Sequence, residues 1–427
     1  MYGDIKGKKL LILAGGPNLI SLVERAKELG VYTIVTDYYD FIDSPAKTIA
    51  DEYWDISWSD LDTLEKKCRE VGVDGITTGY SENTVENCIR LCQRLNLPCY
   101  CNMKQLDVTR NKDIFKEECR KNGVPVVKEY KNLDEVNSFP VIIKPVDRAG
   151  SIGVGIAKNR EELKKVYDYA MEMSYCKKVV IEDFIMNGSK FDVVYGIHEG
   201  EVMLLSDCDT INAKNNGTER VVQSGWIFPS KYHNQFLSKY DSVIRKMIKN
   251  LDIKNGFIFY SGFAIEEKND VDFVFFETGF RLSGGHLYNY ISKKGIINVL
   301  DIFIVHALTG NTQILKINKD MEPDLKCLMI NYYVTDGIIS RFDGINQIRK
   351  MVDCGLFLEL AHTGQKCDSS KAILTKTALI HLYNNSIECL ADDVEVINNL
   401  YSVKNENGVD IIYDKIDSDF IRNWYNS

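Results

Sequence analysis

Residues 273–285 read FVFFETGFRLSGG. An apolar strand delivers one carboxylate, Glu277, then an arginine, Arg281, then a flexible Ser283-Gly284-Gly285 and His286. A buried strand rarely ends in an acid unless a cation meets it. The cations at hand are a metal ion and the guanidinium four residues on. The segment therefore reads either as a metal and anion site or as a Glu277–Arg281 ion pair. Residues 262–265 and 273–276 pair as a hairpin turning at Lys268-Asn269-Asp270. A regular register sets Glu277 opposite Gly262 and leaves Glu266 about 13 Å along the strand, at about 3.3 Å per residue. One carboxylate suffices for magnesium when phosphates and waters complete the octahedron.

Upstream lie three further segments with charge at strand ends or helix starts. FPVIIKP (139–145) is a strand closed by Lys144, and the loop VDRAGSIGVG (146–155) follows with Gly150, Ser151, Gly153 and Gly155. Such a loop can turn backbone N–H groups toward phosphate oxygens, with Lys144 and Arg148 supplying charge. It is not a P-loop, and a glycine-rich surface hairpin is the plain alternative. Lys112 stands in TRNKDIF near the start of a helix over 111–122, where a cation opposes the helix dipole. A bound phosphate explains it, and so does a solvated surface lysine. VVIEDFI (179–185) sets Glu182 and Asp183 on opposite faces of a strand. One of them suits an adenine amino group, with the backbone of Phe184 and Ile185 reading the ring edge; a solvent-facing acid is the alternative. His286 reads as a general base or as a hydrogen-bonded structural histidine.

The first hundred residues alternate strand and helix: strands at 9–13, 32–36, near Tyr53 and at 75–78, helices over 20–29, 61–71 and 84–95. That alternation predicts a parallel sheet with right-handed crossovers. The turn GGPNLIS lacks the GxGxxG pattern, and Pro17 removes a donor a pyrophosphate would use. Asp37 after the second strand suits a ribose or a turn cap. From Met103 the strands become closely spaced and antiparallel, and the helix over 160–173 interrupts them. Past Gly310 further strands fall at 324–335, 355–360 and 373–382. The 427 residues exceed one small core and suit two or three packed units. The net charge of -9 argues against a general grip on nucleic acid. No apolar run reaches membrane-span length, and no signal-peptide core opens the chain. The twelve cysteines form no zinc pattern and read as free thiols of a cytoplasmic protein, with a regulatory disulfide as the alternative.

Together these segments resemble the ATP-grasp superfamily, in its carboxylate-amine ligase branch, with carbamoyl-phosphate-synthase-like and biotin-carboxylase-like relatives. AGGPNLI, IVTDYYDFIDSPA and IADEYWDISWSD look like the pre-ATP-grasp domain. Lys112 and Lys144 match the two phosphate lysines, VVIEDFI the adenine hinge, and FFETGFRLSGGH the metal and substrate segment. The resemblance implies a mixed α/β and α+β architecture. It has a Rossmann-like domain over 1–102 and ATP-grasp lobes over 103–318, the small mobile lobe being about 112–187. A β-rich C-terminal subdomain covers 319–427. It implies ATP and magnesium, or manganese in its place, as cofactors. Lys112, Lys144, Gly150, Ser151, Gly153, Glu182, Asp183, Phe184 and Ile185 would hold the nucleotide, and Glu277 the metal. Arg281, Ser283, Gly284, Gly285 and His286 would hold substrate, with Arg281 and Lys144 catalytic. The partners it implies are small carboxylates and amines, with a homodimer as the assembly to test.

Three positions depart from the family pattern. Gly279 stands where an Asn metal ligand is usual, Ser261 or Gly262 where the preceding strand offers an acid or Gln, and Gly188-Ser189-Lys190 where Gly-x-Glu holds the ribose. The ligase reading and a nucleotide-binding protein without turnover, of regulatory or scaffold role, both follow from this pattern.

Overall fold

The computed structural model describes residues 3–148, 152–213, 222–268, 270–318, 324–368 and 374–426. Strands are numbered in chain order. β1 (Lys9–Leu13), β2 (Tyr32–Thr36), β3 (Glu52–Trp54) and β4 (Gly75–Thr77) form a parallel sheet in the order β3-β2-β1-β4. Leu10, Leu11, Ile12 and Leu13 are all fully buried. A run of apolar residues without alternation is what a strand covered on both faces requires. Helices Ile20–Glu28, Leu61–Val71 and Glu82–Leu95 accompany this sheet, the last two ending on left-handed Gly72 and Asn96. The Asp37 carboxylate accepts from the Gly15 N–H at 2.8 Å and the Ser44 hydroxyl at 3.2 Å. The acid after the second strand thus caps the glycine turn, and the N–H a pyrophosphate would use is taken.

Helix Met103–Arg110 precedes helix Lys112–Asn122. The periodicity reading missed the first of these; its signature is a capping box, with Asn102 and Gln105 exchanging side-chain-to-backbone bonds at 3.0 Å. A small antiparallel sheet follows, in the order β5-β8-β6-β7: β5 (Glu129–Tyr130), β6 (Val141–Pro145), β7 (Gly155–Ala157) and β8 (Val179–Asp183). Helix Arg160–Met173 packs on it through Leu163 and Ala170 against Val141, Ile143 and Ile181.

The largest sheet has eight strands: β9 (Gly188–His198), β10 (Glu201–Asn212), β11 (Gln223–Phe228), β12 (Gly256–Glu267), β13 (Asp270–Phe280), β14 (Lys326–Val334), β16 (Cys354–Glu359) and β18 (Thr375–Asn384). Their order is β13-β12-β9-β10-β11-β14-β18-β16. Strands on both sides of residue 319 are therefore hydrogen-bonded into one sheet, through the β11–β14 ladder. β15 (Gly337–Asp343), β17 (Lys366–Cys367) and β19 (Ser402–Asn405) make a third antiparallel set, and helix Ile387–Leu400 buries Leu390, Val394 and Ile397 in the core beneath β14 and β18.

The β12–β13 hairpin corrects one expectation. Its ladder shifts between Ser261 and Gly262: Gly262 pairs with Phe275, and Glu277 lies opposite Ser261. Phe276 is the extra residue of a bulge, which no alternation pattern announces. Asn269 at the turn lies outside the described residues. Among the described residues, no helix is long and apolar enough to cross a membrane, and the twelve cysteines are free.

Candidate active site

Alternation in β6 turns Val141, Ile143 and Pro145 into the core and leaves Lys144 on the other face. Glu182 on β8 pairs with Ile142 in register, so its carboxylate meets Lys144 diagonally: Nζ to Oε2 is 2.9 Å. The other oxygen, Oε1, lies 2.5 Å from Lys116 Nζ, a charge contact without hydrogen-bond alignment. Both Glu182 and Lys116 are 0% exposed. Burial raises the Glu182 pKa, and the charges of Lys144 and Lys116 outweigh it, leaving the carboxyl below its ordinary value. Burial pulls Lys116 down to about 8 against the attraction of Glu182. Lys116 also reaches Glu129 at 3.3 Å, and Glu129 pairs with Arg120.

Asp183, on the opposite face, accepts from the Tyr130 hydroxyl at 2.6 Å and Ser138 at 3.3 Å. The Phe184 N–H donates to Pro140 O at 3.0 Å, and its carbonyl accepts no bond among the described residues. The Ile185 N–H has no partner among the described residues. Lys112 Nζ donates to Arg148 O at 2.9 Å, tying the helix start to the beginning of the glycine-rich loop. Gly150 and Ser151 lie outside the described residues. Gly153 has φ +74°, and a Cβ there would stand 2.6 Å from Met173 Cβ and 2.7 Å from Pro145 Cγ.

The small sheet meets the large one at this point. Lys144 Nζ lies 5.0 Å from the centroid of the Phe276 ring, beside Glu277, and the Val127 N–H and Phe275 N–H bond across the seam. Glu277 is exposed and has no hydrogen bond or ion pair among the described residues. The ion-pair alternative for it is not formed, because Arg281 turns away: its Nε lies 2.6 Å from Glu82 Oε1 and its Nη1 donates to Leu282 O at 3.0 Å. Phe259 fills the space a side chain at position 279 would need, its ring 2.4 Å from that Cβ. The register sets Glu277, Ser261 and Asp192 in one row across β13, β12 and β9. Asp192 accepts from Trp226 Nε1 at 3.3 Å, and its Oδ1 is buried with no hydrogen-bond partner.

The segment after Arg281 folds back over the sheet. Ser283 O accepts from the His286 N–H at 3.0 Å, Gly284 is exposed with open space beside it, and Gly285 packs on the Trp226 ring. His286 is 0% exposed; Nε2 donates to Asn18 Oδ1 at 2.9 Å and Nδ1 accepts from Tyr288 at 2.6 Å. Burial, with the nearby His381 and Lys376 charges, holds its pKa well below the ordinary value. Both ring nitrogens are engaged inside the protein, which is the hydrogen-bonded structural arrangement.

Lys116, Glu82, Asp192 and Trp226 were not singled out from the sequence. Lys116 carried one local signal, a lysine between Phe115 and Cys119 on the buried stripe of its helix. The others come from elements far apart in the chain and carried none.

The family model described as D-ala D-ala ligase C-terminus matches residues 91–216. The 2-oxoglutarate carboxylase small subunit of Hydrogenobacter thermophilus is 26% identical over 299 residues, covering 62% of this chain and 60% of that protein. The biotin carboxylase domain of the H. thermophilus 2-oxoglutarate carboxylase, in complex with MgADP, ADP and bicarbonate, superimposes with a TM-score of 0.76 at 18% identity, covering 98% of this chain and 94% of that one. The chain has the ATP-grasp fold of such structures. The L-amino acid ligase of Bacillus licheniformis shares the fold too, with a TM-score of 0.73 at 20% identity over 94% of this chain and 100% of that one. The chain spans about half the length of the curated relatives it matches, from 48% to 60% in three of them.

Proposed function

We propose that this ATP-grasp chain is an ATP-dependent ligase of small carboxylates and amines. The γ-phosphoryl group of ATP passes to a carboxylate oxygen of the substrate and ADP leaves. The amine nitrogen then attacks the carbonyl carbon of the acyl phosphate and loses a proton, and inorganic phosphate departs with the C–O electron pair. The observation that carries this reading is convergence. Lys144 touches Glu182 at 2.9 Å and overlies Phe276 at 5.0 Å, while Lys112 secures the loop that begins at Arg148. Segments distant in sequence thus surround one seam between two sheets.

In this reading the adenine lies against the segment that follows Glu182, with the Ile185 N–H and neighbouring carbonyls addressing the ring edge, while Glu182 holds Lys144 in place. Lys112 and Lys144 offset phosphate charge, which is most of what a phosphoryl-transfer site must supply. The residues present suit a hard divalent cation, with Glu277 unpaired, Asp192 carrying a buried oxygen without a partner, and the Ser261 hydroxyl between them. Bound magnesium supplies charge neutralisation at the phosphate oxygens. The MgADP bound to the H. thermophilus domain supports the same assignment. Arg281 holds the carboxylate, and Gly284 and Gly285 let backbone amides approach it. The loop over 146–155 excludes water that would hydrolyse the acyl phosphate.

The test is ADP release with a panel of carboxylates and amines. ADP formed only with a particular carboxylate–amine pair is the expected result. Tight ATP binding without ADP formation across the panel would overturn the ligase reading.

A further inference from the structure

The face of the large sheet that carries Asp192 runs on past the groups used so far. Directly paired strand residues share a face. Trp226 pairs with Thr210 and with Met329, and Met329 with His381. Two and four residues beyond Met329 on the same face stand Asn331 and Tyr333, and Tyr333 pairs with Lys376 of β18. The Lys376 ammonium lies 6.0 Å from the centroid of the Trp226 ring. That ring also backs Gly285, whose Cβ position would be 3.5 Å away. Lys376 has no hydrogen bond or ion pair among the described residues. Burial alone pulls its pKa down to about 8, with no carboxylate opposing.

Asn331 is a second unfinished group on this face. It is 2% exposed, its Nδ2 donates to Gln223 O at 3.0 Å, and its Oδ1 has no partner. The buried carbonyl oxygen without a donor carries a desolvation penalty, and the half-buried ammonium, without a counter-ion among the described residues, carries part of one. A ligand bringing an N–H or O–H to the first and an anion to the second removes both.

β18 lies four strands from β9, about 19 Å at about 4.8 Å per strand. Trp226 of β11 stands between them: it donates to Asp192 at 3.3 Å, and its ring centroid lies 6.0 Å from the Lys376 ammonium. We propose that Lys376 and Asn331 form a substrate subsite across Trp226 from Asp192, in which the lysine pairs with an anionic oxygen group, carboxylate or phosphate. The assignment of this ligand as substrate rests on the ligase reading; the anion site itself does not. The substrate class that follows is a small molecule carrying an anionic group that reaches Lys376 past the Trp226 ring.

The test uses the full chain and two probes, inorganic phosphate and succinate, titrated calorimetrically without nucleotide. Lys376→Met is expected to weaken binding of at least one probe by about tenfold, the equivalent of about 1.4 kcal/mol. Lys376→Arg, which keeps the charge, is expected to stay within about threefold of the parent. The probe with the larger loss identifies the group. Trace acetylation of Lys376, followed by mass spectrometry, is expected to be suppressed by that same probe. Binding of neither probe by the parent, equal affinities in parent and Lys376→Met, or unprotected acetylation would each overturn the subsite. ATP binding measured on the same preparations separates the two ideas. Its absence in the parent counts against the ligase reading, whereas intact ATP binding with unchanged anion binding in Lys376→Met counts against the subsite alone.

Discussion

Arg281 Nε stands 2.6 Å from Glu82 Oε1, so the arginine of the glycine-rich segment is held by an acid from the N-terminal α/β unit. The pair is partly buried, with side chains 17% and 24% exposed. A charged hydrogen bond of this kind contributes about 1.5–3 kcal/mol, enough to fix which way the guanidinium points.

Glu82→Gln should therefore loosen Arg281 without touching the nucleotide. The expected result is a fall in kcat/KM for the carboxylate of about tenfold or more, with ATP affinity within about twofold of the parent. An equal fall in ATP affinity would show that the pair only holds the fold.

Lys116 is expected to be a structural requirement of the Glu182 cluster. Removing one partner of a buried ion pair typically costs about 3–5 kcal/mol; Lys144 remains beside Glu182, so Lys116→Met should fall at the lower end. Urea unfolding measures this directly. A loss smaller than about 1 kcal/mol would mean that Lys144 alone satisfies the carboxylate.

The same cluster sets an acid limit. The folded-state pKa of Glu182 lies below its ordinary value of 4.5 because the two lysine charges outweigh burial. Its contribution to stability is therefore complete above about pH 4.5 and is lost as the pH falls through the folded value. Glu182→Gln lacks this dependence. Unfolding curves from pH 6 downward should show the gap between parent and Glu182→Gln closing below about 4.5.

Gly153 cannot tolerate a side chain. Its φ of +74° costs an L-residue about 1–2 kcal/mol, and the Cβ would collide with Met173 and Pro145. Gly153→Ala should lower Tm and weaken ATP binding, because the backbone at Gly153, packed between Met173 and Pro145 (the residue after Lys144 in sequence), must shift. Unchanged Tm would show that this loop yields freely.

Lys144→Ala and Glu277→Ala should separate binding from turnover. The first is expected to weaken ATP binding. The second is expected to abolish turnover while leaving affinity for nucleotide in the absence of magnesium within about twofold. Equal rates in Glu277→Ala and the parent would remove that acid from the site.

Much of the architecture was legible because it rests on local period. Helices Leu61–Val71 and Arg160–Met173 carry apolar stripes bounded by caps, and β1 is an unbroken apolar run. Helix Met103–Arg110 was not legible from periodicity, since it is short and its stripe is weak. The place of Glu277 in its ladder differs by one residue from the expected register, because the hairpin closes at Glu267–Asp270, two residues off that register, and the bulge at Phe276 takes one back. Lys112, Lys144, Glu182, Glu277 and Arg281 announced themselves as charges at the ends of apolar segments.

By itself the sequence determined which segments become strands and helices, since burial and backbone preference act over a few neighbouring residues. Only the tertiary structure decided that Lys116 rather than solvent faces Glu182, that Arg281 turns to Glu82 and leaves Glu277 unpaired, and that β14 and β18 extend the central sheet to set Lys376 beside Trp226. Charge pairing and desolvation depend on distances in space, and residues brought together from distant parts of the chain leave no periodic mark on it.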